Sequence, residues 1–181
     1  EWIVLDFSPD SDQVNIASTS VEEPREMADR ISRDYAGREP VAVAVLKGAA
    51  VFHADLIRHL SIGVTVDFIS LASYHDATSS SGEVQLLKSF ESDLSGAEIL
   101  LVEDIVDTGR TMERLIAETL KYEPRSIRIC SLLSKSSRRE VDIPIDYLGF
   151  EIPDRFVVGF GLDYAEKYRN LPFIGILPET D

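Results

Sequence analysis

Scarcities narrow this 181-residue chain first: one cysteine, three histidines, and 18 basic residues against 32 acidic ones. With Cys130 alone, no disulfide framework can form within the chain. Cys130 sits in the apolar run 127–133, where it reads as a small buried strand residue. His53, His59 and His75 make no metal constellation. The first two are six positions apart and fall on different faces of a helix, so they read as structural or surface side chains. No role is assigned to His75. The shortage of basic charge leaves a formal net charge of −14, which argues against nucleic acid or an anionic membrane as the main partner. An anionic small molecule remains open, because backbone amides and a few local cations can hold one. No apolar run approaches the roughly 20 residues that span a bilayer. The opening Glu1-Trp2-Ile3-Val4-Leu5-Asp6 lacks the basic flank and long apolar core of a signal peptide. A cytoplasmic protein is the expectation, and the missing initiator Met points to a trimmed or processed chain. Low-complexity tracts and internal repeats are absent.

What is present suffices for one full core. At 181 residues and 44% hydrophobic content, residues 1–181 are expected to form a single domain. Strand-like runs at 41–46, 64–71, 99–102, 127–133, 156–160 and 173–177 alternate with helical patterns in several places. The helical patterns cover 22–36, with Ser20 as N-cap and Pro24 in the first turn, then 49–60 and 110–121. This order predicts an α/β fold, a mostly parallel central sheet with helices on both faces. The polar stretch 74–83 breaks the alternation, and its composition fits a loose hairpin loop or a lid equally well.

The richest stretch is Ile99-Leu100-Leu101-Val102-Glu103-Asp104-Ile105-Val106-Asp107-Thr108-Gly109-Arg110-Thr111-Met112. A buried strand meets two adjacent carboxylates, then a short turn, then a helix N-terminus. The turn carries hydroxyl and N–H groups into the positive end of the helix, which favours a phosphate. Carboxylates would repel phosphate, so Glu103 and Asp104 suit hydroxyls or a divalent cation. An ordinary acidic turn capped by Thr108 is the plainer alternative.

The whole string closely resembles the phosphoribosyl-pyrophosphate signature of type I phosphoribosyltransferases. In order along the chain, Leu46-Lys47-Gly48, Ser73-Tyr74, Leu133-Ser134-Lys135 and the segment 146–169 resemble the hypoxanthine-guanine members of that family. The resemblance covers roughly residues 40–177. It implies that fold with a small hood from the chain termini and a mobile hairpin lid at about 73–85, which favours the lid reading. It also implies transfer of a phosphoribosyl group from phosphoribosyl pyrophosphate to hypoxanthine or guanine, giving IMP or GMP, with Mg²⁺ as cofactor and a homodimer or homotetramer as the assembly.

The resemblance also assigns residues. Glu103, Asp104, Asp107, Thr108, Gly109, Arg110 and Thr111 would bind the ribose and its 5′-phosphate, with Asp107 the general acid/base at the purine ring nitrogen. Lys47, Gly48, Ser73, Tyr74 and Arg169 would hold pyrophosphate, and a non-proline cis bond is implied between Leu46 and Lys47. Lys135, Phe156, Val157 and Asp163 would form the purine side; Glu103, Asp104 and Asp163 would face the metal. From the residues alone, Lys135 beside Arg138 and Arg139 fits a solvated surface lysine, and Phe156 fits a core aromatic. The family role gives Lys135 to the 6-oxo group, Phe156 to stacking, and the Val157 carbonyl to the 2-amino group of guanine. Three positions depart from the family pattern. Ala49-Ala50 follows Lys47-Gly48, Ala72 replaces a basic residue found in some relatives, and Arg110 stands where Lys is also common. A relative using xanthine, adenine or orotate is one alternative. A non-enzymatic sensor that binds nucleic acid is another, opposed by the charge of −14.

Overall fold

The structure, a computed structural model, describes residues 4–6, 24–73 and 84–177. In chain order the elements are β1 (Val4–Asp6), α1 (Pro24–Asp34), β2 (Val41–Leu46), α2 (Ala49–His59), β3 (Thr65–Ser73), β4 (Val84–Lys88), β5 (Glu98–Val106), α3 (Arg110–Leu120), β6 (Ser126–Ser134), a 3-10 turn (Ser136–Arg138), β7 (Tyr147–Glu151), β8 (Val157–Val158) and β9 (Ile174–Ile176). Among the described residues, six strands form one sheet in the order β4-β3-β2-β5-β6-β7, and β1-β9-β8 form a smaller one. Every pairing in the large sheet is parallel except β3 with β4.

Alternation along the strands builds the core. Successive strand residues point to opposite faces, so Leu100 and Val102 of β5 pack with Met27, Ile31, Phe52 and Leu56 of α1 and α2. Their neighbours Ile99 and Leu101 pack on the other face with Met112 and Leu115 of α3. Each of these side chains is essentially solvent-free, and truncating one such Leu to Ala costs about 2–5 kcal/mol. Helices therefore cover both faces, as the strand and helix order predicts.

Several boundaries moved. β5 runs to Val106, so Glu103 and Asp104 belong to the strand and not to a turn. The strand expected at 156–160 shrinks to Val157–Val158, because positive φ angles at Gly159, Phe160 and Gly161 end the extended backbone. α1 begins at Pro24, and Ser20 lies outside the described residues. β1, β4 and β7 are not among the strands expected from the sequence. β4 is short and follows the polar segment, and β7 lies inside the string assigned to purine binding. Tyr74, His75 and the other residues of the expected lid from 74 to 83 also lie outside the described residues.

His53, His59 and Cys130 are structural. His53 is buried against Phe68, ring centroids 5.6 Å apart, and burial lowers its pKa. The Nδ1 of His59 lies 3.0 Å from the Asp55 carbonyl one helical turn back. Cys130 is buried with its sulfur 3.1 Å from that of Met27. No helix among the described residues is long and apolar enough to cross a membrane.

Candidate active site

The chain leaves β2 toward β3 on one side of the sheet and leaves β5 toward β6 on the other, so the strand order reverses between β2 and β5. A crevice forms at the carboxyl ends of parallel strands where this happens. β2 pairs with β5 only as far as Ala44 and Val102, whereas β5 stays paired with β6 to Val106 and Ser134. Residues 103–106 therefore have an open edge beside the loop that leaves β2. That loop begins with a cis Leu46–Lys47 peptide, the bond implied by the family resemblance. Its Gly48 lies so close to Asp104 that any side chain there would overlap the carboxylate, and a side chain at Gly161 would overlap the Gly48 carbonyl. Three distant segments thus meet closely, Gly48 against the Asp104 carboxylate on one side and against the Gly161 backbone on the other.

Asp107, Thr108 and Gly109 turn the end of β5 into α3. Gly109 adopts φ 89° as the N-cap and so offers no side chain to the helix. Thr108 does not cap in the ordinary way: it precedes the cap, and its hydroxyl is 3.4 Å from the Arg110 N–H. The first N–H groups of α3 are left for an anion. An open cavity of about 70 Å³ lies there, lined by Glu103, Asp107, Thr108, Gly109 and Thr111 among others. The segment after β6 braces this turn. The N–H groups of Glu140 and Val141 both donate to the Thr108 carbonyl at 3.0 Å, and Arg139 donates to Ser134 Oγ at 2.8 Å. A side chain at Gly109 would collide with the Val141 carbonyl. Arg110 is drawn away from the cavity into an ion pair with Glu140 at 2.6 Å.

Glu103 and Asp104 are only 7% and 9% exposed. Burial and the neighbouring Asp104 charge push the Glu103 carboxyl well above the usual carboxylate range, and burial pushes Asp104 up as well. Glu103 Oε2 is buried without a hydrogen-bond partner, and an orphaned acceptor of this kind costs about 1–3 kcal/mol. A hard cation would satisfy it. Mg²⁺ keeps several waters and needs only one or two carboxylates beside substrate phosphate oxygens, so this donor set fits it. Among the described residues no three acidic, His or Cys side chains gather to hold an ion by themselves. Glu103, Asp104 and Asp163 therefore do not make one closed metal cage, and they fit an ion carried largely by its substrate.

Across the crevice, Arg169 donates to the Gly161 carbonyl at 2.8 Å and pairs with Asp163 at 2.8 Å. Lys47 reaches Glu166 at 2.9 Å with both side chains about two-thirds exposed, a pair worth little in water. Lys47, Gly48, Asp104, Asp163 and Arg169 are thus neighbours. Ser73 ends β3.

Lys135 and Phe156 depart from the plain expectations. Lys135 is 6% exposed and no solvated surface lysine. Its backbone N–H donates to the Val106 carbonyl at 3.0 Å, which sets the lysine beside Asp107 at adjacent strand ends. Phe156 is no core aromatic: it is 52% exposed, its ring held edge-on by Tyr164 at 5.6 Å. Val157 is buried in β8 opposite Ile176.

With this geometry, the relatives of the chain are decisive. Residues 10–165 match the phosphoribosyl transferase domain. The hypoxanthine-guanine phosphoribosyltransferase of Streptococcus agalactiae is 45% identical over 86% of both chains, and that of Bacillus subtilis 44% identical over 93% of this chain and 94% of its own. This chain belongs to the hypoxanthine-guanine phosphoribosyltransferase family. The crystal structure of such an enzyme from Bacillus anthracis, with HEPES in its active site, superposes with a TM-score of 0.82 at 46% identity, covering 89% of this chain and 98% of that one. A hypoxanthine phosphoribosyltransferase from Staphylococcus aureus gives 0.81 at 42% identity, over 86% and 84%.

In this phosphoribosyltransferase the sequence reading missed Arg138, Glu140, Asp154 and Glu166. Arg138 lies 3.4 Å from Asp107 and 3.5 Å from Asp154, and Asp154 lies 3.7 Å from Lys135. Each is an ordinary charged residue on a loop, and their spacing to the motif residues carries no periodic signal. Glu166 alone could have been found, three residues after Asp163, whose carboxylate accepts its N–H at 2.8 Å.

Proposed function

We propose that this chain salvages purines by transferring the 5-phosphoribosyl group of phosphoribosyl pyrophosphate to hypoxanthine or guanine, giving IMP or GMP and pyrophosphate. The observation that carries the reading is the pairing of the Lys135 N–H with the Val106 carbonyl. It brings a buried cationic donor and the Asp107 carboxylate to adjacent strand ends beside the phosphate-binding helix terminus.

In the reaction a purine ring nitrogen bonds to the anomeric carbon while the bond from that carbon to the pyrophosphate oxygen breaks. The transition state resembles an oxocarbenium ion. Asp107 is the general acid/base that receives the ring N–H proton. The α3 N-terminus, Thr108, Gly109 and Thr111 bind the 5′-phosphate, with Arg110 joining them once it leaves Glu140. Lys47, Gly48, Ser73 and Arg169 bind the leaving pyrophosphate, where the planar fork of Arg169 suits two phosphate oxygens. Phe156 stacks on the base and fixes its plane. Glu103, Asp104 and Asp163 are the side chains that would hold Mg²⁺, which when bound neutralises charge developing on the pyrophosphate. A homodimer or homotetramer in the cytoplasm is the expected setting.

Base choice tests the reading. Lys135 is donor-only, so it accepts a 6-oxo group and opposes the adenine amino group, a mismatch that can reach factors of about 10⁴. The Val157 carbonyl favours the 2-amino group of guanine, tolerates hypoxanthine and opposes the 2-oxo group of xanthine. Initial rates with the four bases at saturating Mg²⁺ and phosphoribosyl pyrophosphate should rank hypoxanthine and guanine high, xanthine poor and adenine nearly inert. Adenine turnover equal to that of hypoxanthine would remove the Lys135 assignment, and efficient xanthine use would remove the one for Val157.

A further inference from the structure

We propose that Arg138 is a positioning residue for this reaction, acting through Asp107, and that with Asp154 it ties the proton-accepting carboxylate to the base-recognising lysine. The inference rests on the reading of Asp107 and Lys135 given above.

Four side chains of alternating charge run across the mouth of the base side. Lys135 Nζ lies 3.7 Å from Asp154 Oδ1, the same oxygen lies 3.5 Å from Arg138 Nη1, and Arg138 Nε lies 3.4 Å from Asp107 Oδ1. The lysine is nearly buried and the arginine half-exposed. One guanidinium faces two carboxylates at once, a task its planar fork performs and a lysine ammonium does poorly.

The contact to Asp107 is an ion pair and not a hydrogen bond. Asp107 Oδ1 is buried and accepts no hydrogen bond, although the arginine stands within ion-pair distance. Arg138 faces this buried oxygen and orients the carboxylate by charge, while the Asp107 side chain as a whole stays about one-third exposed, so its accessible part is free to receive the purine proton.

Arg138 can set an orientation because its own backbone is fixed. It ends the 3-10 turn directly after β6, and its N–H donates to the Lys135 carbonyl at 3.2 Å. The next residues hold the phosphate turn from the other side, through Arg139 on Ser134 and the Glu140 and Val141 N–H groups on Thr108. A single bracket from 135 to 141 thereby serves the base lysine, the catalytic aspartate and the phosphate turn. A displaced reacting group can cost about 10²-fold in rate, so loss of the bracing charge is expected to lower kcat by about 10- to 100-fold.

The test is a double-mutant cycle on the full chain with hypoxanthine, phosphoribosyl pyrophosphate and Mg²⁺. Arg138→Ala should lower kcat in that range while KM for phosphoribosyl pyrophosphate changes by no more than about twofold, and Arg138→Lys should restore part of the loss. In an Asp107→Ala background, Arg138→Ala should have no further effect, because a residue acting through Asp107 has nothing left to act on. Multiplying effects, or an Arg138→Ala protein with wild-type kcat, overturn the inference. Should the Ala variant fold poorly, Arg138→Gln keeps most of the stem, and the ¹³C carboxyl resonance of Asp107 reports the contact directly. The resonance should move in Arg138→Gln and hold in Arg138→Lys; an unmoved signal in Arg138→Gln also overturns the proposal. Full turnover in Asp107→Ala alone is a different failure, that of the general acid/base reading, and is seen before any Arg138 variant is compared.

Discussion

Asp67, within β3, and Asp107, just past the end of β5, are two aspartates held in opposite ways. Asp67, in β3, is buried and its carboxylate accepts the backbone N–H groups of Phe68, Glu91 and Ser92 at 2.7–2.9 Å. Asp107, at the end of β5, has a buried oxygen that accepts nothing. The region around Asp67 spends its polar atoms on fastening the strap 88–92 to β3. Among the described residues six side chains carry a buried unpartnered polar atom, and four of them, Glu103, Asp107, Arg139 and Arg169, gather at the crevice, while Tyr35 and His53 lie in the core. Unmet hydrogen-bonding capacity concentrated at one end of a sheet marks where a ligand completes the structure. The same contrast sorts mutations into those that stop chemistry and those that loosen the fold.

The largest effect is expected at the open carboxylate. Asp107→Ala should lower kcat by about 10²–10⁴, the range for a lost proton-transfer group, with a melting temperature close to wild type because no hydrogen bond on Oδ1 is lost. Steady-state kinetics beside thermal melts make the comparison. A folded variant with normal turnover, or one that unfolds, would each erase the distinction drawn between the two aspartates.

Legibility in the sequence follows the same divide. Glu103 to Thr111 form one contiguous string on one strand-turn-helix, so chain order alone put them in the same place. The alternation of apolar runs with helical patterns likewise carried the parallel sheet. Lys135 and Phe156 were ambiguous, because burial of a lysine or exposure of a phenylalanine depends on what packs above it. Arg138, Asp154 and Glu140 were invisible for a physical reason: their partners are charges brought near by the turn after β6 and by the approach to β8. A single charged loop residue carries no period that announces such a partner. β4 and β7 escaped because Gln85 and Lys88 in one, and Gly149 and Glu151 in the other, interrupt the apolar runs by which the other strands are read.

A middle-sized effect belongs to the saturated region. Asp67→Ala leaves three N–H groups short of an acceptor, and with water repairing part of the loss, about 2–4 kcal/mol of stability should go. In folded protein, kcat should hold within about twofold of wild type, since the group is remote from the proton transfer; a large fall in kcat at unchanged stability would break the comparison from this side. The pH dependence follows. Burial alone would raise the Asp67 carboxyl, but the three backbone donors outweigh it and the pKa is lowered from the ordinary 3.8. A carboxylate with a depressed folded pKa contributes stability above its unfolded value, and that contribution disappears as pH falls through the folded value. The stability gap between wild type and Asp67→Asn should therefore be constant near neutral pH and shrink below about pH 4, as read by urea unfolding across the acid range. A gap that widens on acidification would reverse the sign assigned here.

The smallest effect sharpens the boundary between the regions, at Glu140. Its backbone belongs to the bracing segment, while its side chain holds Arg110 at 2.6 Å with both partners about half-exposed. Exposed pairs of this kind contribute about 0–1 kcal/mol, so Glu140→Gln should scarcely move the unfolding midpoint. The backbone N–H that donates to Thr108 survives the substitution, and the phosphate turn keeps its brace. What changes is the competition for Arg110: without the carboxylate, the guanidinium is free to turn to the 5′-phosphate. KM for phosphoribosyl pyrophosphate should fall by a few-fold at low ionic strength, with kcat unchanged, and the gain should fade as salt screens the new contact. A raised KM would mean that Glu140 aims Arg110 at the phosphate and does not withhold it, and the side chain would then belong with the site and not with the scaffold.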